Sequence, residues 1–346
     1  MKQYLSQLAQ GRSLSVEETV AAFELIMSGA ATPAQIGSLL SFIAARGPTR
    51  QEIVGAATVM RSKVVPIAVP PGMTVIDTCG TGGTHSPTFN VSTAAALVVA
   101  AAGRPHNIGV AKHGNRSVTS KSGSSQVLEQ LGVRLDIAPA TATRCLDETG
   151  FCFCFAPAHH PAMKYAAPVR GELGFRTLFN LLGPLTNPAG AARQVMGVYD
   201  PALTELIAQV LRDLGSCAAM VVHGQAEGGG LGEVTTTGPT RISRLCDGQV
   251  TTTQFDAGEL GLAPATVADL SVADPAASAA VIRHVLEGRP GAARDMVCLN
   301  AAAALMVAGV AADWVQGLEI ARQAIDRGGA KETLAKVIAA TRSNTV

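Results

Sequence analysis

The residues best suited to chemistry lie in two runs. The first is Asp77-Thr78-Cys79-Gly80-Thr81-Gly82-Gly83-Thr84, and the second is Lys112-His113-Gly114-Asn115-Arg116-Ser117. Glycines at this density let backbone N–H groups come close to an anion. The first run follows the apolar stretch Met73 to Ile76 and precedes Ser92-Thr93-Ala94-Ala95-Ala96-Leu97. That order reads as strand, glycine-rich loop and helix, and the positive end of a helix attracts phosphate. Asn90, Ser92 and Thr93 stand at the helix start, where Ser92 could cap it and the rest could bind phosphate oxygens or a metal. Lys112, His113, Asn115, Arg116, Ser117, Thr119, Ser120, Lys121, Ser122 and Ser124 add donors without one carboxylate among them. Such a set suits a pyrophosphate.

Other candidates are more isolated. Arg170 in Ala167-Pro168-Val169-Arg170-Gly171-Glu172 could pair with Glu172 or clamp a substrate carboxylate. Glu233 ends the glycine-rich loop Gly228-Gly229-Gly230-Leu231-Gly232-Glu233, where it could hold Mg²⁺ beside phosphates. Cys152 and Cys154 in Phe-Cys-Phe-Cys-Phe share one face of a strand and read as buried thiols, despite the nearby His159-His160. The glycine loops fit neither a Walker loop nor Gly-x-Gly-x-x-Gly. No Ser-His-Asp spacing, HExxH or CxxC pattern supports covalent catalysis or zinc hydrolysis.

The elements that must position these residues are legible from pattern. Ser15 with Glu18, Thr32 with Gln35 and Thr49 with Glu52 are capping boxes. Val16, Val20, Phe23 and Met27, then Ile36, Leu39, Leu40 and Ile43, follow helical spacing. Residues 1–68 thus read as a helical domain, joined by part of 161–190, and Val65 to Gly72 as a proline-rich hinge. Residues 73–346 form the second domain. Strands are expected near Thr74–Thr78, Ile108–Ala111, Arg134–Asp136, Phe151–Phe155, Gln194–Tyr199 and Ala218–Val222. Helices fall between them, near Thr93–Ala102, Ser125–Leu131, Thr141–Glu148 and Ala202–Leu214. This alternation gives an α/β fold with a mostly parallel sheet, whose ligands bind beyond the carboxyl ends of the strands. Arg241–Leu245 and Val250–Phe255 read as a hairpin, and the chain from Asp274 is helical to near Thr341.

Composition excludes several classes. At 346 residues with 15% charged residues, the chain has the make-up of a densely packed enzyme. A net charge of +1 without a basic block disfavours nucleic acid. The apolar runs Val91 to Gly103 and Leu299 to Ala312 fall short of the roughly 20 residues of a membrane span and read as core helices. The N-terminus lacks the apolar region of a signal peptide, and seven scattered cysteines suit a reducing cytoplasm.

Taken together, Asp77–Gly83, Thr88-Phe89-Asn90-Val91-Ser92-Thr93, Lys112–Ser124, His160-Pro161-Ala162-Met163-Lys164 and Pro168-Val169-Arg170 through Pro188 resemble the anthranilate phosphoribosyltransferases. The resemblance implies a nucleoside phosphorylase-like fold with a helical domain, a homodimer through that domain, and use of Mg²⁺. It implies transfer of the phosphoribosyl group from phosphoribosyl pyrophosphate to the anthranilate amine, a step of tryptophan synthesis. By motif position, Gly80, Thr81, Gly82, Gly83, Asn90, Ser92, Thr93, Lys112 and Ser124 would bind the donor. Gly80, Asn115, His160, Arg170 and Gly183 would line the acceptor pocket, and Ser92 and Glu233 would hold metal. Lys112 and Arg170 would act as charge stabiliser and acceptor clamp. Three departures from the family pattern stand out. Thr84 and Gly232 occupy positions that are usually acidic, and Arg104 to Gly109 adds length. Other readings are a paralogue with another aromatic acceptor, a nucleoside phosphorylase, and a non-catalytic relative that binds nucleic acid or a protein.

Overall fold

The computed structural model describes residues 1–84, 88–116 and 122–343. The chain opens with four helices: α1 (Lys2–Ala9), α2 (Val16–Met27), α3 (Pro33–Arg46) and α4 (Arg50–Ser62). All three expected capping boxes form, at Ser15, Thr32 and Thr49. Each satisfies backbone donors that a helix start leaves orphaned. The extended linker that follows is fastened to the later chain: Val65 N–H donates to His159 O at 2.8 Å and Ile67 N–H to Pro188 O at 3.1 Å.

The sheet contains β1 (Thr74–Gly80), β2 (Ile108–Gly114), β3 (Phe151–Phe155), β4 (Arg193–Gly197), β5 (Ala218–Ala226), β6 (Gly229–Leu231), β7 (Thr240–Cys246) and β8 (Gln249–Phe255). Its order is β3-β2-β1-β4-β5-β7-β8, with β6 on β5. The first five strands run parallel, while β6, β7 and β8 pair antiparallel. The chain lays β2 and β3 on one side of β1, then β4 and β5 on the other. The reversal lies between β1 and β4, where α/β sheets open a crevice at the carboxyl ends of their strands.

Two expectations differ from the structure. Arg134–Asp136 forms no strand. Val133 and Leu135 enter the core, and Arg134 N–H donates to Thr341 Oγ1 at 3.2 Å. The alternation there reflects packing beneath a helix rather than a sheet ladder. The loop expected at Gly228–Gly232 contains β6, with Gly230 opposite Gln225. A Cβ at Gly230 would stand 2.1 Å from the His223 ring, so only glycine lets this strand lie there.

Helices cover both sheet faces, and strand residues alternate between them. Ile76, Val110, Phe151, Phe153, Val195, Met220 and Val222 face a core built with α5 (Val91–Gly103) and the C-terminal helices. Those helices span Pro275–Leu286, Ala292–Ala308, Trp314–Asp326 and Gly329–Arg342. Met196, Val198, Ala219 and Val221 face a core shared with α1 to α4 and the helix Leu203–Asp213. Ala166, Val169, Leu178, Phe179, Leu181, Leu182 and Leu185 of the crossover segment are buried in that same core. Cys145, Cys152 and Cys154 lie in a third cluster with Val75 and Ala111, as buried apolar thiols. Among the described residues no helix is long and apolar enough to cross a membrane.

Candidate functional site

The glycine-rich loop begins where β1 meets β4. Gly80 pairs with Gly197, and Thr81 N–H donates to Gly197 O at 2.9 Å. Gly82 and Gly83 then adopt φ of +63° and +76° in succession, a conformation that favours glycine. Thr81 Oγ1 accepts the backbone N–H of Tyr199 at 3.1 Å. The Gly83 carbonyl accepts Arg176 Nη2 at 2.6 Å, and that guanidinium lies 4.4 Å from the Tyr199 ring centre.

Lys112 lies beside this loop on β2 and is only 2% exposed. Its Nζ donates to the Thr78 carbonyl and, at 3.2 Å, to Ser92 Oγ. Burial lowers its pKa, while the carboxylates of Asp77 and Glu233 hold it up. A cation is thus fixed between the end of β1 and the first turn of α5. Ser92 sits inside α5, whose cap position is Asn90, so the expected N-cap by Ser92 does not form. Thr93 Oγ1, next along, is buried without a hydrogen-bond partner among the described residues. Asn90 ties elements together. Its Oδ1 accepts Ser122 Oγ at 2.6 Å and Ser278 Oγ at 2.8 Å, and its Nδ2 donates to Ser122 O at 3.2 Å. Among the described residues that leaves one Nδ2–H for a ligand.

Behind Lys112 lies a buried polar chain. Asp77 accepts His113 N–H at 3.2 Å and Asn187 Nδ2 at 2.7 Å. Burial pushes its carboxyl up to about 6, against the pull of Lys112 and these donors. His113 Nδ1 donates to Gly183 O at 2.9 Å, and its Nε2 lies 3.1 Å from His160 Nε2. Burial, and the neighbouring histidines, lower His113 to about 3 and His160 to about 4, so both are neutral near pH 7. Gly183 and His160 thereby meet at one spot.

Arg170 is half-buried on the helix Ala167–Leu173, 5.2 Å from the Phe179 ring centre. No ion pair with Glu172 forms, and among the described residues no carboxylate lies within ion-pair distance of Arg170. Asn115 is exposed, its Oδ1 accepting Arg116 N–H at 2.7 Å. Arg116, expected among the donors for a pyrophosphate, has its guanidinium on Glu129 at 2.7 Å. The partner lies thirteen residues on, in the helix Ser124–Leu131, one turn beyond where the run of donors ends. Ser124 starts that helix, and a Cβ at Gly114 would come within 2.4 Å of its Oγ. Ser117, Thr119, Ser120 and Lys121 lie outside the described residues.

Glu233 is half-buried, and burial lifts its carboxyl to about 7 while Lys112 draws it down. The loop is anchored by Asn300, which accepts Val234 N–H at 3.0 Å and donates to Val234 O at 2.7 Å. Gly232 closes on β4 so tightly that a Cβ at Gly197 would lie 1.8 Å from Gly232 O. A Cβ at Gly232 would stand 3.7 Å from Thr84 Cγ2, so the two non-acidic positions face one another. Arg176, Tyr199, Asn187, Ser278 and Asn300 carry no spacing signal relative to the runs they join. Of these, Arg176 and Asn187 lie within the last family-like string, Pro168 through Pro188.

Comparison with known proteins fits this geometry. The helical bundle domain of a glycosyl transferase family matches residues 2–64, and its a/b domain matches residues 72–331. The anthranilate phosphoribosyltransferase of Rhizobium meliloti (strain 1021) is 48% identical over 338 residues, covering 98% of this chain and 97% of its own. That of Thioalkalivibrio sulfidiphilus (strain HL-EbGR7) is 49% identical over 343 residues, covering 99% of each. The Thermus thermophilus enzyme superposes with a TM-score of 0.90 at 37% identity, over 98% of this chain and 99% of that one. The Saccharomyces cerevisiae enzyme in complex with PRPP and Mg has the same fold, with a TM-score of 0.86 at 24% identity over 98% and 97% of the two chains.

Proposed function

This chain belongs to the anthranilate phosphoribosyltransferases, and from that premise we propose how its own residues carry the transfer of phosphoribose from phosphoribosyl pyrophosphate to anthranilate. The observation that carries the proposal is buried Lys112, held on Ser92 Oγ at the start of α5 beside the Gly80–Gly83 loop. A fixed cation, a helix N-terminus and a glycine loop converge there on one anion site. Thr93, next to Ser92 in α5, and Ser124, at the start of the following helix, are assigned to its border. We assign the pyrophosphate to this place, with Gly80, Thr81, Gly82, Gly83, Ser92, Thr93, Lys112 and Ser124 around the donor. Asn90 offers its remaining N–H.

In the reaction the acceptor nitrogen forms a bond to C1 of the ribose, and the C1–O bond to pyrophosphate breaks. The electron pair leaves on the pyrophosphate oxygen, and the nitrogen releases a proton. Positive charge develops on the ring oxygen and C1, as in glycoside cleavage. Lys112 and the loop amides stabilise the departing negative charge. Arg170, without a carboxylate partner among the described residues, receives the anthranilate carboxylate as a planar fork. His160, Gly183 and Asn115 line the approach. With both histidines neutral, the wall beside the acceptor offers hydrogen bonds rather than charge. Holding an already neutral amine in line is the main task.

Glu233 and Ser92 are the candidates to hold Mg²⁺, and the donor set fits it: a carboxylate, a hydroxyl and the substrate's phosphate oxygens. Ser92 would offer only a neutral hydroxyl, so the protein's negative charge toward the ion would come from Glu233. Bound there, the ion would neutralise the leaving group. We further propose a homodimer through the helical domain, where Phe42 of α3 stands exposed.

The test is to mix protein, phosphoribosyl pyrophosphate, Mg²⁺ and anthranilate and follow loss of anthranilate fluorescence. Turnover is expected. Donor binding by calorimetry without turnover would point to another aromatic acceptor. Absence of donor binding would sink the assignment of the anion site.

A further inference from the structure

We propose that Arg176 is a positioning residue that fastens the glycine-rich loop to the crossover segment and so holds the donor cradle in shape. The inference rests on the reading of that loop as the donor site. Arg176 Nη2 donates to the Gly83 carbonyl at 2.6 Å, a charge-assisted bond to the loop backbone itself. The guanidinium also stands 4.4 Å from the Tyr199 ring centre, and the Tyr199 N–H donates to Thr81 Oγ1 at 3.1 Å. The cation thus holds the loop directly at Gly83 and lies on the ring of the residue whose backbone N–H holds Thr81. It lies close enough that a Cβ at Gly83 would meet its Nε at 3.2 Å.

The anchor is firm on the other side. Thr177, Leu178 and Phe179 follow directly and are buried, the last two in the core of the helical domain. The loop, by contrast, holds two successive glycines at positive φ, and glycine loses the most freedom when ordered. A tether from a rigid element removes part of that cost before the donor arrives. Among the described residues no carboxylate pairs with Arg176. Its grip therefore goes to the loop carbonyl and the Tyr199 ring, not to a competing ion pair. Loosening the loop should also admit water to C1. There a water oxygen would bond to C1 as the C1–O bond breaks, pyrophosphate would leave with the electron pair, and the water would give its proton to solvent.

The variants are Arg176→Ala and Arg176→Lys. Arg176→Ala is expected to raise the donor KM about tenfold, the scale of one charge-assisted hydrogen bond, with the anthranilate KM within about twofold. It should also release pyrophosphate in excess of anthranilate consumed. Arg176→Lys keeps a donor for Gly83 but not the planar group over Tyr199, and should recover part of the donor KM. In the unliganded protein, hydrogen exchange over residues 78–84 should quicken about tenfold in Arg176→Ala. An unchanged donor KM, or both KM values rising together with a fallen melting temperature, would overturn the proposal. If the wild type turns over no anthranilate, the functional reading fails on its own. The exchange measurement then still judges the tether, and an unchanged rate would refute it.

Discussion

Asp77 shows how one residue can be plain in type and opaque in state. It heads the run that marks the site, yet it lies fully buried under donors from His113 and Asn187, and burial lifts its carboxyl to about 6. Unfolded, it titrates near the ordinary 3.8. Between those values the folded state holds the extra proton, so this group's contribution is greatest at low pH and falls as pH rises through 6. The decline is on the order of 3 kcal/mol, from a shift of about two units. Urea melts of wild type and Asp77→Asn should show the wild type losing ground to the variant as pH rises from about 4 to about 6.5, and a flat difference would contradict the buried state. Arg170 makes the opposite case. Type and neighbours suggest a carboxylate clamp, and the missing ion pair with Glu172 leaves the guanidinium free for it. Arg170→Ala should raise the anthranilate KM about a hundredfold, the loss of a bidentate charged contact, against a donor KM within a few-fold. Equal effects on both substrates would remove Arg170 from that role.

Elements are the most legible scale, because caps and periodicity are local. Three capping boxes form at the residues that announce them. Their energetics are less local. Glu52 closes its box at Thr49, yet it also accepts Arg46 Nη2 at 2.6 and 2.7 Å and Leu14 N–H at 3.1 Å, with no exposed surface. Removing it leaves a charge and two amides unpaired. Glu52→Ala should cost about 3 kcal/mol, while Ser15→Ala, at a half-buried cap, should cost about 1 kcal/mol. Denaturant melts that rank the two equally would reject the account. Where pattern and element part ways, the cause is tertiary. Val133 and Leu135 alternate because a helix covers them, and Gly229–Leu231 is a strand because β5 offers it an edge.

At the scale of the whole molecule, loops far apart in the chain share one mouth. Thr84 follows β1 and Gly232 precedes Glu233 after β6, and the fold sets them side by side. Acids at both places would invite a second cation; here a methyl group and a hydrogen meet. A magnesium titration of the initial rate should therefore saturate at lower concentration than in a member with both acids. The ordinary dependence would count against it. What the chain determines by itself is the kind of site and its scaffold: a glycine loop, a lysine, hydroxyls, and the alternation that brings strand ends together. These are short-range matters of backbone freedom, charge and period. Tertiary structure alone decides that Lys112 rests on Ser92, that Arg116 is taken by Glu129, and that Arg176 reaches Gly83. Burial, pairing and reach depend on which distant segments fold against each other, and no local pattern encodes that.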